Sequence, residues 1–278
     1  MTSWKKPEKQ WLRVNPSKQI AEKYMAEQTI EKPDYGNWVS KKLIYLPGLI
    51  GLVFLGLALL SPWWLLPAIP FVAISAYFAY ARYLFSPQGG DVQKQIRDLV
   101  LANLAWDGKG QALDVGCGNG ALVIALAQKH PAAHITGIDF WGGNWEYSKN
   151  VCERNAQLEG AAERCTFQKA SAAELPFADE TFDAAVSNLT FHEVNGTADK
   201  RGLVREALRV VRKGGIFAFQ DLFLIKPAYG DIEDLVKTIQ GWGIEKVAFI
   251  ETRNSAFIPK ALKLPFMVGT LGLIVGKK

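Results

Sequence analysis

The chain has 278 residues, enough for one domain of ordinary size plus an appendage. Its formal charge of +5 is uneven, because residues 1–42 carry nine Lys or Arg against five Asp or Glu while the remainder is close to neutral. That distribution excludes the basic stripe of a polyanion binder, so no nucleic acid partner is expected. The three cysteines, Cys117, Cys152 and Cys165, show no C-x-x-C spacing, which argues against a disulfide framework and against a zinc site.

Residues 1–42 read as a polar, basic arm with Trp4, Trp11 and Trp38. Too many hydrophilic residues precede the first apolar run for a signal peptide. A helix is predicted over Ser17 to Ile30, in an arm that is either solvated or laid on anionic lipid. From Leu43 to Ala81 there is no charged residue. Since a spanning helix needs roughly 20 apolar residues, this stretch predicts a transmembrane helical hairpin over 43–85. Its helices run from Leu43 to Leu60 and from Leu65 to Phe85, joined by Ser61-Pro62-Trp63-Trp64. Lys41, Lys42 and Arg82 flank the open side, and the positive-inside rule then puts both termini and the following domain in the cytoplasm. The alternatives are a shallow re-entrant hairpin bent at Pro47, Pro67 and Pro70, and a buried hairpin of a soluble protein.

Pro87 to Gly90 reads as a linker, and a separate domain is expected over 91–278, beginning with a helix from Asp91 to Ala105. The stretch Leu113-Asp114-Val115-Gly116-Cys117-Gly118-Asn119-Gly120 reads as a strand entering a glycine turn that opens a helix at Ala121. Glycine permits backbone angles closed to other residues and lets a ligand reach the free amides of the first helical turn. Two readings compete. A dinucleotide site would carry a third glycine at position 121, which is Ala, and a carboxylate at Asp114 would repel a diphosphate. Beside an ammonium group Asp114 would be stabilised, which favours an amino-acid-bearing cofactor.

A second strand, His134 to Phe140, ends on Asp139, where a carboxylate can accept both hydroxyls of a ribose. The loop Trp141-Gly142-Gly143-Asn144-Trp145 offers a tryptophan to cover a base or to pack. Further on, helices are predicted over Glu146 to Leu158, Asp199 to Val211 and Asp231 to Gly241. Strands are predicted over Thr166 to Ala170, Phe182 to Leu189, Ile216 to Phe223 (after a Lys213-Gly214-Gly215 turn), Ile244 to Thr252 and Val268 to Val275. Such alternation implies an α/β fold with a parallel sheet covered on both faces.

The glycine-turn segment resembles motif I of the class I S-adenosylmethionine-dependent methyltransferases. The run Glu174 to Val194 (ELPFADETFDAAVSNLTFHEV) resembles the third and fourth motifs of their small-molecule, type 11/25-like branch, and the Lys213-Gly214-Gly215 turn is similar to the one before their fifth strand. The resemblance, covering about 110–278, implies a Rossmann-like seven-stranded sheet with its last strand antiparallel. It implies S-adenosyl-L-methionine as cofactor, held by Asp114, Gly116, Gly118, Gly120, Asp139, Phe140, Ser171, Ala172 and Asn188. The family usually has an Asp where Ser171 stands, so that contact departs from the pattern. No metal is expected. His192 and Glu193, at the carboxyl end of the fourth strand, are the candidate catalytic residues, with His192 as base.

The expected function is transfer of a methyl group to a small acceptor associated with the membrane: a lipid, a quinone-like ring or another hydrophobic metabolite. The apolar and basic loop from Phe257 to Phe266 suits a headgroup contact. Alternatives are a soluble small molecule or a protein acceptor, a NAD-dependent oxidoreductase, and a cofactor-binding scaffold without turnover.

Overall fold

The computed structural model describes residues 31–142, 147–196 and 198–278, so the helix expected over Ser17 to Ile30 and the loop residues Asn144 and Trp145 lie outside the described residues. The sheet has seven strands: β1 (Gly110–Val115), β2 (Ala133–Asp139), β3 (Cys165–Lys169), β4 (Phe182–Asn188), β5 (Val211–Asp221), β6 (Lys246–Ile250) and β7 (Gly272–Lys277). Their order is β3-β2-β1-β4-β5-β7-β6, with β7 antiparallel to both neighbours and the rest parallel. The chain builds outward from β1 to β3 and then returns to lay β4 on the other side of β1. This reversal opens a crevice beyond the carboxyl ends of β1 and β4.

Alternate residues of the central strands feed two cores. Leu113, Ala185, Phe217 and Phe219 face α6 (Arg201–Arg209) and α8 (Ile232–Gly241), which contribute Leu203, Val204, Ala207, Leu235 and Ile239. Ala112, Ala184, Val186 and Ala218 face α3 (Val92–Asn103), α4 (Ala121–Lys129) and α5 (Lys149–Leu158). The strands are apolar on both faces because both are covered, as the continuous hydrophobic runs imply.

Of the boundaries that differ from expectation, two are at the ends of β5 and β7. Lys213-Gly214-Gly215 is not a turn before β5 but lies within it, because Val211 already pairs with Phe182 ahead of an irregularity between Phe182 and Ala184. Gly215 is pressed there by neighbouring backbone, with the Asp183 carbonyl 2.9 Å from where a Cβ would stand. Val268 to Leu271 forms turns, and β7 starts only at Gly272.

Residues 42–85 form two apposed helices, α1 (Lys42–Ala58) and α2 (Leu65–Phe85). The Ser75 hydroxyl donates to the Ile44 carbonyl at 2.8 Å, and Phe54 stacks on Trp64 and Phe71. Among the described residues, one helical stretch, Pro62–Phe85, has the length and composition to cross a membrane; Lys42–Ala58 is apolar but shorter. The tip leaves Leu59 90% and Trp63 76% exposed.

The base of α2 does not stand apart from the α/β domain. Ala81, Leu84 and Phe85 are buried with Val92, Ile96, Leu222, Ile258, Leu262 and Leu271 in a third core. Asp34 to Lys278 accordingly forms one compact unit by contact, where the sequence is expected to divide at residues 42, 85 and 91.

Candidate functional site

The glycine turn closes β1 onto β2. The amides of Gly116 and Cys117 both donate to the Ile138 carbonyl, at 2.8 and 2.9 Å. Gly116 has φ +79°, and a Cβ there would fall 2.0 Å from the Thr190 hydroxyl oxygen, so the loop after β4 presses directly on it. Gly118, at φ +56°, would bring a Cβ no nearer than 3.6 Å to the Tyr147 ring.

Asp139 holds the turn with both carboxylate oxygens, accepting from the Gly118 amide at 2.9 Å and from the Trp141 amide at 2.8 Å. Burial raises its pKa despite those donors. The Trp141 ring N–H donates to the Gly118 carbonyl at 2.8 Å, so this tryptophan braces the turn instead of standing free to cover a base.

Asp114 is a buried carboxyl toward the end of β1. Its side chain is buried and neither oxygen has a hydrogen-bond partner. Burial, with the nearby Asp139 charge second, pushes its pKa up to about 8. An unpaired carboxyl in a cavity wall calls for a cationic or donating ligand group.

Sequence reasoning missed two walls of the cavity. Residues 34–40 form a strap over the glycine turn: the Asp34 carbonyl accepts from the side-chain amides of Asn119 (3.1 Å) and Asn155 (2.8 Å), and the Trp38 amide donates to Gln93 (3.1 Å). The arm expected to end at residue 42 thus contributes Tyr35, Trp38 and Val39 to the cavity lining. From α3 comes Arg97, whose guanidinium lies 6.0 Å from the centre of the Tyr35 ring. Burial lowers its pKa.

The far wall is the turn after β4. There His192 Nδ1 is 2.6 Å from Asp221 Oδ1, and Nε2 is 3.2 Å from Glu193 Oε1. Asp221, wholly buried at the end of β5, also accepts from the Thr190, Phe191 and Leu222 amides. Burial opposes charge on His192, but the Asp221 carboxylate and the hydrogen bonds to Asp221 and Glu193 outweigh it and push the pKa up to about 10. An imidazole held as imidazolium at neutral pH has no lone pair to offer, which corrects its expected role as a free base. The sequence signal for Asp221 is a charged residue inside the apolar run IFAFQDLF.

These groups surround one cavity of about 670 Å³. Of the residues expected to hold the cofactor, Asp114, Gly116, Gly118, Asp139, Phe140, Ser171, Ala172 and Asn188 line it, as do His192 and Glu193. Gly120 does not: it caps α4 at φ +82° and packs against Phe167. The Ser171 hydroxyl oxygen accepts from the Ala173 amide, and Phe140 lies 63% exposed at the rim with the Lys169 ammonium over its ring. The side-chain amide oxygen of Asn188, like the Asp114 carboxyl, lacks a partner among the described residues. Among the described residues no cluster of His, Cys, Asp and Glu could hold a metal ion.

Residues 113–219 match the family described as a methyltransferase domain. Over this segment the chain is similar to methyltransferases. The chain is 35% identical over 130 residues to a malonyl-[acyl-carrier protein] O-methyltransferase of Geobacter sulfurreducens, covering 46% of this chain and 45% of that protein. It is 32% identical over 119 residues to a ubiquinone/menaquinone biosynthesis C-methyltransferase of Desulfotalea psychrophila, covering 43% and 44%. The chain therefore spans about half the length of the curated relatives it matches. A geranyl diphosphate methyltransferase solved with S-adenosylmethionine superposes with a TM-score of 0.53 at 14% identity, covering 71% of this chain and 89% of that one. At that identity the likeness concerns the fold, a class I methyltransferase sheet.

Proposed function

We propose that the protein transfers a methyl group from S-adenosyl-L-methionine to a small, apolar acceptor, and that residues 42–85 anchor it in a membrane with the α/β domain on the cytoplasmic side. The observation that carries the first part is the unpaired Asp114 carboxyl beside the glycine turn, a fit for the ammonium of an amino-acid cofactor. Asp139, whose oxygens each keep a second lone pair, would accept the ribose hydroxyls. Arg97, a largely buried cation of the lining, would take the carboxylate. When bound, the cofactor supplies an electrophilic methyl group on a sulfonium.

The chain's own residues then orient the acceptor and exclude water, and alignment of this kind can supply about 7–11 kcal/mol of barrier reduction. For a hydroxyl acceptor the proton goes to the Glu193 carboxylate, which His192 holds at 3.2 Å and Asp221 orients through His192. The relatives named above support a small-molecule acceptor, and the apolar second half of the cavity, lined by Leu43, Phe78, Phe85 and Leu222, supports a hydrophobic one. The exposed apolar surface of the hairpin supports the anchor, with Lys41, Lys42 and Arg82 at its open end setting the orientation.

The test is a labelled-methyl assay on membrane lipid extract, with identification of the labelled product. Label found only in a soluble compound or a protein would favour the anchor as mere localisation, and release of the full chain by alkaline carbonate would refute the integral hairpin. Tighter binding of NAD than of S-adenosylmethionine would favour an oxidoreductase, and binding without formation of S-adenosylhomocysteine a scaffold.

A further inference from the structure

The cavity has two chemically distinct ends. The polar end lies at the glycine turn, with Asp114, Asn119 and Asp139. The apolar end is built by parts outside the methyltransferase segment: Leu43 of α1, Phe78 of α2, and Phe266 and Met267 of the loop before β7. The loop is fastened to the hairpin, since the Tyr77 hydroxyl donates to the Ala261 carbonyl at 2.9 Å and the Phe266 ring lies 5.9 and 6.5 Å from those of Tyr77 and Phe78.

Leu43 and Phe266 line the cavity and are also exposed, at 44% and 65%, so they stand at its mouth. From Leu43 an exposed apolar track runs along α1 through Leu46, Leu49 and Leu52 toward the tip. Each three-residue step falls short of a full turn by about 60°, so successive leucines are neighbours and the track winds round α1 as it approaches the tip. Exposed cations, Lys41, Lys42 and Lys260, belong to the same two elements that form the mouth.

We propose that this mouth is a lateral port through which an acceptor with a hydrocarbon tail passes from the bilayer to the cavity, its tail staying against Leu43, Phe78 and Phe266 while its head advances toward Glu193. The proposal rests on the methyltransferase and anchor readings above and deepens them by fixing the acceptor as a tailed amphiphile and its route as sideways. A tail that crossed water would expose its methylenes, at a cost that grows with every carbon. A port opening onto the track removes that cost, because apolar contact is continuous from hairpin to cavity. Lysines at the headgroup level would hold the mouth at the depth where lipid heads lie.

The experiment uses the full chain reconstituted in phosphatidylcholine–phosphatidylglycerol vesicles doped with a stearic acid that carries a mid-chain diazirine. After irradiation, the sites of carbene insertion are mapped by peptide mass spectrometry in the unmutated protein, in Leu43→Trp, which narrows the mouth, and in Phe266→Ala, which widens it. The expected result is insertion at Phe78 and Met267, reduced severalfold by the first variant and raised by the second. Both positions are well exposed, and circular dichroism checks that each variant folds. Insertion confined to outward positions such as Leu49 and Leu66, or insertion at Phe78 and Met267 that neither variant changes, overturns the port. S-adenosylmethionine affinity of the unmutated protein is measured in the same vesicles by calorimetry. Absence of that binding refutes the methyltransferase reading whatever the labelling pattern, so the two failures are distinct.

Discussion

Asp114 gives the sharpest quantitative test of the cofactor site. Its carboxyl, with a pKa of about 8 in the free protein, is about nine-tenths protonated at pH 7 and half protonated at pH 8. An ammonium placed against it would draw the pKa back into the ordinary carboxylate range, so binding at pH 7 releases about 0.9 proton from this group. Affinity for S-adenosylmethionine should therefore rise about tenfold, or about 1.4 kcal/mol, between pH 6 and pH 7 and level off above pH 8. Calorimetric titration in buffers of different ionisation enthalpy reads both quantities, and Asp114→Asn should remove the release and flatten the profile. The ligand-free protein supplies the converse sign. Its folded carboxyl keeps the proton to higher pH than the unfolded chain does, so this group's contribution to stability falls as pH rises from about 4 to about 8. Flat affinity between pH 6 and pH 7 without proton release would refute the pairing of Asp114 with the cofactor.

Other outcomes follow from the same geometry. In the unmutated protein His192 should stay protonated through neutral pH, and in Asp221→Asn its titration, followed by NMR of the ring carbons, should fall toward the ordinary histidine range. Because the folded pKa is raised to about 10, the pair's contribution to stability is complete below about pH 6.5 and is lost as pH rises toward 10. Gly118→Ala should fold with a loss of about 1 kcal/mol from its backbone angle yet bind the cofactor poorly. Gly116→Ala, driven into Thr190, should lose markedly more stability in denaturant melts. Arg97→Met should weaken binding of S-adenosylmethionine more than that of a decarboxylated analogue, and equal losses for the two would place the carboxylate elsewhere. A chain starting at Pro87 loses Phe85 and the strap, and emptying the place of one buried phenylalanine costs about 3–5 kcal/mol. Such a chain should melt earlier and lose cofactor affinity; an unchanged melt and affinity would mean that the third core is dispensable.

What the sequence makes legible is whatever short-range pattern encodes. The glycine turn, β1, β2 and Asp139 lie within a few dozen residues and follow from strand-to-helix alternation, and the two helices of the hairpin follow from an uncharged run of the right length. The strap is illegible, because Asp34 meets Asn155 across 121 positions and nothing local marks a polar carbonyl as a partner for a distant side-chain amide. Arg97 reads as one more charge on an amphipathic helix until the fold turns it toward Tyr35. His192 is found by its place after β4, but its state is not, since that depends on Asp221 arriving from the neighbouring strand. The packing across the expected split at residues 85–91 is illegible for a related reason. Hydropathy separates the charge-free run from the rest, but Ala81, Leu84 and Phe85 carry apolar side chains of the kind that fill any core.

The strap over the glycine turn also bears on the order of events during turnover. With residues 34–40 tied to Asn119, Asn155 and Gln93, the strap covers one side of the polar end of the cavity. If the proposed methyl transfer takes place there, a cofactor seated beneath the strap against Asp114 and Asp139 is expected to bind before the acceptor and to leave after the product, and product-inhibition patterns would check that order. Steady-state kinetics of that kind are sequential and ordered, and an acceptor analogue lodged near Leu43 and Phe266 would slow the escape of a cofactor it never touches.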